Sequence, residues 1–543
     1  MLTGEFYIQV ILPLKLGWEP FYLSSEPLEV GDRVRVPFAG NTYLAVVSGA
    51  PAELPPGIKP LSVKRIFGKA SEKAHVSATE LDFFRKVASY YMCTVGEVYK
   101  AAYPAVKDET VRPRSKACET VSGPGDVVLS DREKELLDAV HSAHREGKVC
   151  LLSSPDSSGI LRSEALSHIR NGGNVLYLVP EMKFSARQEK MLRSVFGDAL
   201  ILYGSNVTPA KKREAARRIR SGSGYIVIGT RSSIFLPHRG LTLVIVRGEN
   251  EISYKQTSPS PRYNGRDCAV MLAGIFGAGV LLESVAPSFE SIYNSLCGKY
   301  VWVKPKGRMP LSCEVIDTRS ELKKNGMSGE VPLKLVQMAR ECRMAVYKPH
   351  YASFPDIGEL SSDVRRELGE DVFITENLVS DPIPGGVRKT ALFGMDSLLG
   401  RDNFRADERA LQTILSLGAQ CPEVVVMTRE SSHSVFRLLT GSGVDLNSML
   451  AERRQFNLPP YTRLVDILLT DAFPDRLARM KEELYRGMVA ADFAPMEISG
   501  GFRVALKRDA SLAGRKSALL GIVSGIEKTH RYTGHITFDV DPR

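Results

Sequence analysis

The sequence predicts a multi-domain α/β protein: a β-rich N-terminal domain, two blocks of parallel sheet and a closing α+β domain. Three observations carry that expectation. The chain has 543 residues, enough for three or four domains of ordinary size. From Phe6 to about Gly49 it reads as short strands broken by Gly and Pro. From about Val127 apolar β runs alternate with helical stretches, the rhythm of a parallel sheet covered by helices. Composition agrees, because 43% hydrophobic and 25% charged residues are those of an ordinary soluble globular chain.

Taken in order, residues 1–105 begin with "FYIQVILPL", "DRVRVPF" and "NTYLAVVSG", whose spacing suggests a small barrel or sandwich. A helical stretch follows, "ATELDFFRKVASYYMCTVGEVYKAAY". Residues 106–127 are rich in Pro, Ser and charge and read as a linker. In residues 128–300, "DREKELLDAVHSAHREG" is helical and "KVCLL" is a buried strand. "NVLYLVPE", "ALILY", "GYIVIGT" and "LTLVIV" continue the strand series, with a basic helix among them. Residues 301–440 offer a second block with "MAVYKP", "DVFITE", "KTALFGM" and "EVVVMT" as strands. Residues 441–543 combine "RLVDILLT" and "HITFDV" with the amphipathic helix "DRLARMKEELYRGMV".

Several classes are excluded. The N-terminus has no basic n-region or small-residue cleavage site, so it does not read as a signal peptide. The longest apolar run, "AVMLAGIFGAGVLL" (residues 269–282), is Gly-broken and short of the roughly 20 residues of a membrane span. The eight cysteines are scattered with no C-x-x-C, which argues against a zinc cluster or a disulfide framework and for a reduced, cytoplasmic setting. Histidines show no metal spacing, and lone ones such as His168 and His238 read as helix-surface or turn residues. Net charge is +10 and the pI near 9.0, a mild bias compatible with nucleic acid.

One stretch raises a question of chemistry. "LLSSPDSSGILRSEAL" (residues 151–166) follows a strand and enters a helix, with Ser157, Ser158 and Gly159 where a phosphate loop would bend. Such a loop then needs Lys to reach the β/γ-phosphates and Ser or Thr to hold Mg²⁺. Those places are taken by Ile160 and Leu161.

The order of segments along the whole chain resembles one family, the bacterial primosomal protein N′ (PriA) replication-restart helicases. The resemblance rests on "VLYLVPE" (175–181), "VFGDALILYGS" (195–205), "GTRSSIFLP" (229–237) and "SYKQTSPSPRYNGRD" (253–267). It continues in "FRADERA" (404–410), "LAERRQFNLPPYTR" (450–463) and "FDVDP" (538–542), and N-terminally in "GDRVRVPF" (31–38) and "YYMCTVGEVYKAAYPA" (90–105). It implies a DNA 3′-end-binding domain, two RecA-like lobes and a C-terminal domain. In the family the phosphate loop carries Lys and Thr where Ile160 and Leu161 stand here. Its D-E-x-H box falls on Arg247, Gly248, Glu249 and Asn250, so the metal-binding Asp is Arg and the catalytic Glu is Gly. Its S-A-T motif is Ser284, Val285 and Ala286. The segment that supplies an arginine finger corresponds to "SLGAQ", ending at Gln420. The zinc cysteines and a winged helix are missing, as in a shortened member.

These replacements oppose nucleotide chemistry. Removing a charge-assisted hydrogen bond to phosphate loses about 1.5–3 kcal/mol, and a cation about 4 Å from a Mg²⁺ site repels the ion by several kcal/mol. No ATP, Mg²⁺ or zinc is expected. The resemblance assigns DNA contacts to Thr230 and Arg231, to the aromatic and basic loop bearing Tyr254, Lys255, Arg262, Tyr263 and Arg266, and to Lys507 and Arg508. The blander alternatives are a strand-end turn, a Pro-rich loop with Tyr rings in the core, and a solvated basic loop. The basic run from Lys211 to Arg220 reads first as a solvated helix face. In the N-terminal domain Phe21 replaces the acid that would hold a 3′-hydroxyl, leaving Trp18, Phe21 and Tyr22 for stacking or for barrel core.

The expected function is recognition of forked or single-stranded DNA in replication restart, without helicase activity. Primosome proteins, a helicase loader or single-strand-binding protein are the implied partners of a cytoplasmic, nucleoid-associated monomer with no membrane contact. An active ATP-dependent 3′→5′ helicase and a protein-interaction module that has lost DNA binding remain the alternatives.

Overall fold

The computed structural model describes residues 5–70, 75–104, 127–155, 157–182, 186–204, 207–306, 311–350, 352–378, 381–399, 404–440, 443–444, 446–529 and 536–542. The expected linker, apart from Val127, lies outside them.

The N-terminal strands alternate. Ile8, Val10, Val34, Val36, Ala45 and Val47 point to one side and form a core of their own, as the two-residue period of a strand requires. Phe6–Ile11, Phe21–Ser24, Arg33–Phe38 and Asn41–Gly49 are the central strands. Lys64–Arg65 pairs with the Phe21–Ser24 edge and Gly68–Lys69 with the Arg33–Phe38 edge. One short run therefore pairs with both edges and closes the sheet into a small barrel.

The helical stretch that follows is two helices. Ala78–Tyr91 and Val95–Ala102 each start with a capping box, Ser77 with Glu80 and Thr94 with Glu97, which satisfies the exposed N–H groups of the first turn. Met92 sits in the left-handed region at φ 53° and ends the first helix. Phe83 and Phe84 pack on Phe235 at ring distances of 5.7 and 6.4 Å, docking this helix pair on the first α/β block.

That block is a seven-stranded sheet in the order Tyr300–Val303, Val149–Leu152, Gly279–Glu283, Leu241–Arg247, Asn174–Leu178, Ile226–Gly229, Leu200–Tyr203. Every pairing is parallel, and the strands are buried on both faces by helices. Tyr300–Val303 pairs with Val149–Leu152, which corrects the expected boundary at residue 300. The first lobe ends after this strand.

The second lobe is a five-stranded parallel sheet in the order Ser312–Asp317, Glu423–Thr428, Lys389–Leu392, Met344–Tyr347, Phe373–Thr375. Helix Leu446–Gln455, expected in the C-terminal domain, contributes Met449 and Leu450 to this lobe's core, so the boundary at 440 also moves later. The C-terminal domain is a four-stranded antiparallel sheet, Met496–Ile498, Gly501–Lys507, Thr462–Leu469, Ile536–Val540, with helices Pro474–Ala490 and Leu512–Thr529. Among the described residues no helix is long and apolar enough to cross a membrane.

Candidate nucleotide cleft and nucleic-acid interface

The helix after Val149–Leu152 begins at Ser157, so Ser157, Ser158 and Gly159 belong to its first turn. Ile160 and Leu161 are both 0% exposed and join the core beneath the sheet. The two positions expected to face phosphate point inward instead. Gly159 lies so close to the preceding helix that a Cβ there would stand 2.4 Å from the Glu133 carboxylate. Its glycine is explained by packing.

The polar groups left in the cleft are spent on one another. Glu283, at the end of its strand, accepts from Ser157 Oγ at 2.8 Å and from the Gly248 N–H at 3.1 Å. Arg247 lies 3.5 Å from Ser158 Oγ and its carbonyl accepts from Tyr254 OH at 2.7 Å. Burial works against the Arg247 charge, but Tyr177 and the Glu283 carboxylate more than offset it, and its pKa lies above the ordinary value. Gln420 is likewise committed, accepting from the Ile383 N–H at 2.8 Å and donating to the Leu378 carbonyl at 3.2 Å.

The space between the lobes is about 150 Å³, walled by Ser157, Ser158, Arg247, Glu283 and Gln420. That is below the roughly 300 Å³ at which small-molecule sites begin. Glu249, the one acid of the expected metal box, is 1% exposed. It accepts from the Ser288 N–H at 2.5 Å, Ser288 Oγ at 2.9 Å, Ser291 Oγ at 3.0 Å and Arg266 Nη1 at 2.9 Å. With Glu249 so occupied, the donor set does not fit a phosphate-bound Mg²⁺. Among the described residues no group of three or more His, Cys, Asp and Glu could hold a metal ion.

The expected DNA contacts divide. Thr230 and Arg231 follow strand Ile226–Gly229 and are half-buried; Arg231 donates to the Ser253 carbonyl. Tyr254 and Tyr263 are 1% and 2% exposed, and Tyr263 packs edge-on against Phe235 at 5.1 Å. This corrects their reading as faces for bases, since a ring enclosed by protein has no face to offer. Lys255 is also enclosed. It lies 2.6 Å from Asp539 and donates to the carbonyls of Arg262 and Val540 at 2.7 and 2.6 Å. Arg262 stands 3.7 Å from the same Asp539, and Arg266 is held by Glu249 and Asp267 at 2.9 and 2.8 Å. The loop read as a DNA sensor is built as a latch to the C-terminal strand.

Lys507 is exposed and Arg508 half-buried. On the basic helix Pro209–Ser221, Lys211 and Arg213 are exposed, while Arg220 reaches Tyr103 OH at 3.2 Å. Trp18 is 59% exposed and stands 6.4 Å from Phe38, which stands 6.5 Å from Tyr43. Tyr22 is core, and Phe21 is half-buried. His238 is also interior, 2% exposed, with burial lowering its pKa to about 4. Missed from sequence was a cavity of about 360 Å³ to which Arg405, Arg409 and Arg463 contribute beside Arg266 and Arg508. The signal was available, because these residues lie in "FRADERA" and "LPPYTR", where no side chain had been singled out.

Comparison with known proteins bears on this geometry. Residues 9–104 match the family model described as the 3′ DNA-binding domain of PriA. Over 342 residues the chain is 30% identical to the replication restart protein PriA of Rickettsia conorii, covering 61% of this chain and 51% of that protein. It is 37% identical over 164 residues to that of Haemophilus influenzae, 30% of this chain and 22% of the relative. The chain spans about half the length of the first of these relatives. Among solved structures, RecG bound to a three-way DNA junction aligns with a TM-score of 0.34 and 13% identity, over 74% of this chain and 52% of that one.

Proposed function

We propose that this chain, whose residues 9–104 match the 3′ DNA-binding domain of PriA and which is 30% identical over 61% of its length to a replication restart protein PriA, recognises forked or single-stranded DNA in replication restart without acting as a helicase. The observation that carries the second half is the internal pairing of the cleft. Ile160 and Leu161 are core, and Glu283 is taken by Ser157 and Gly248 beside Arg247. A motor needs a phosphate-binding lysine and a metal-binding carboxylate there, and neither is present. Support for DNA recognition comes from the match of residues 9–104 to a 3′ DNA-binding domain and from the exposed Lys507 and Trp18.

In this reading ATP, Mg²⁺ and zinc are not part of the working protein. Primosome proteins, a helicase loader or single-strand-binding protein are its protein partners, and it acts as a cytoplasmic monomer. Fluorescence anisotropy on a labelled fork, across several salt concentrations with and without Mg-ATP, tests it. Salt-sensitive binding that ignores nucleotide is the expected result. DNA-stimulated ATP hydrolysis would restore the helicase alternative. Folded protein with no affinity for the fork would leave the interaction module.

A further inference from the structure

The cavity of about 360 Å³ lies where all four domains meet. Tyr90 comes from the N-terminal helices, Arg266 and Lys299 from the first lobe, Arg405 from the second, and Arg463 and Arg508 from the C-terminal domain. Its wall interleaves cations with acids, Glu251, Asp267, Glu408 and Asp541 among them, and four of the cations fall into two groups. Arg266 and Arg405 are neutralised in the wall, at 2.9 Å from Glu249 and 2.6 Å from Glu290. Lys299 and Arg508 form no ion pair among the described residues; Lys299 is exposed, and Arg508 donates only to the Pro460 carbonyl at 2.9 Å. Between the groups, Arg463 is 8% exposed, 3.5 Å from Asp541, with its Nε lacking a hydrogen-bond partner.

Beside the uncommitted cations stand two half-buried rings. Tyr293 meets Tyr461 edge-on at 5.0 Å, and the Arg508 guanidinium lies 5.8 Å over Tyr293. Cations without a carboxylate partner next to exposed aromatic edges and faces are the chemistry that holds a sugar-phosphate backbone and takes bases without reading their sequence. The space is of ligand size and far too narrow for a duplex.

We propose that this four-domain cavity and the Tyr293–Tyr461 pair beside it form the seat of a single-stranded DNA segment, with phosphates on Lys299 and Arg508 and bases against the rings. The proposal rests on the DNA-binding reading above and gives that reading a location. It differs from the loop read from sequence, whose rings and lysine are enclosed.

The test uses the full chain and a fluorescein-labelled oligodeoxythymidine. Lys299→Glu combined with Arg508→Ala should weaken binding roughly tenfold or more and lower the salt slope by about 1.4, the value for two single-strand phosphate contacts. Tyr293→Ala should weaken binding by roughly fivefold or more, while Lys211→Ala with Arg213→Ala should leave it within twofold. Circular dichroism confirms that each variant is folded, and exposed Lys299 tolerates change even where the tyrosine does not. Wild-type affinity retained by folded Lys299 and Arg508 variants would overturn this seat and leave DNA recognition to another surface. No affinity in the wild-type chain would overturn both.

Discussion

Ile160 shows how a side chain's direction decides its chemistry. In the first turns of this helix it faces the sheet and is wholly enclosed. Restoring lysine at that position would bury an unpaired ammonium, costing about 3 kcal/mol or more. Ile160→Lys should therefore lower the urea midpoint and gain no affinity for Mg-ATP, as equilibrium denaturation and calorimetry would show. Glu283→Ala removes the acceptor of Ser157 and the Gly248 N–H and the carboxylate beside half-buried Arg247. A loss of about 1–3 kcal/mol is expected by the same denaturation measurement, because donors in the cleft are left without their acceptor. That Ile160 and Arg247 stand where the family carries a lysine and an aspartate was legible from residue type alone. The fate of Tyr254 and Tyr263 was not. A tyrosine has an apolar body and a polar tip, and only the position of Phe235 and the N-terminal helices makes these two rings core.

Between elements, the latch of Lys255 on the terminal strand Ile536–Val540 is the most direct link from the first lobe to the C-terminal sheet. Lys255→Ala and Asp539→Ala should each destabilise, and a double-mutant cycle should give a coupling of about 1–3 kcal/mol. A second effect is pH-dependent. Burial, with the Glu181 carboxylate beside it, pushes Glu251 up to about 7 from its ordinary 4.5. Between those values the folded state keeps a proton that the unfolded state releases. Its contribution is complete below about pH 4.5 and is lost as pH rises through about 7. Thermal melts of Glu251→Gln should be flatter than wild type across that window and equal or better above it. Element type was readable where the pattern was strong, as in "NVLYL", buried throughout, and "LTLVIV", buried at every position but Thr242. Strand Ser312–Asp317 was not foreseen. It is a sheet edge with a single buried residue, so it lacks the apolar run that marks its neighbours. The helical stretch after the barrel hid a break at Met92, because a left-handed cap by a non-glycine residue leaves little trace in sequence.

At the scale of the molecule the two lobes are tied. Arg405 bridges to Glu290 at 2.6 Å, Glu408 accepts from the Phe289 N–H at 3.0 Å and pairs with Arg453 at 2.9 Å, and Gln412 donates to the Pro287 carbonyl at 3.2 Å. With the motor idle as proposed, a cleft held from both sides is expected to keep its form when nucleotide is added. Small-angle scattering should give the same radius of gyration with and without Mg-ATP, and Arg405→Ala should enlarge it. Which domains follow one another was legible in sequence; how they meet was not, since the ties that cross from lobe to lobe join residues more than a hundred positions apart. The longest of them has its own consequence. Lys15, just after the first strand, lies 2.9 Å from Glu527 and donates to the Ile536 carbonyl at 2.5 Å. During synthesis that amine must wait for more than five hundred further residues before its partners exist. Until then the barrel waits with an unsettled flank, which the C-terminal domain settles.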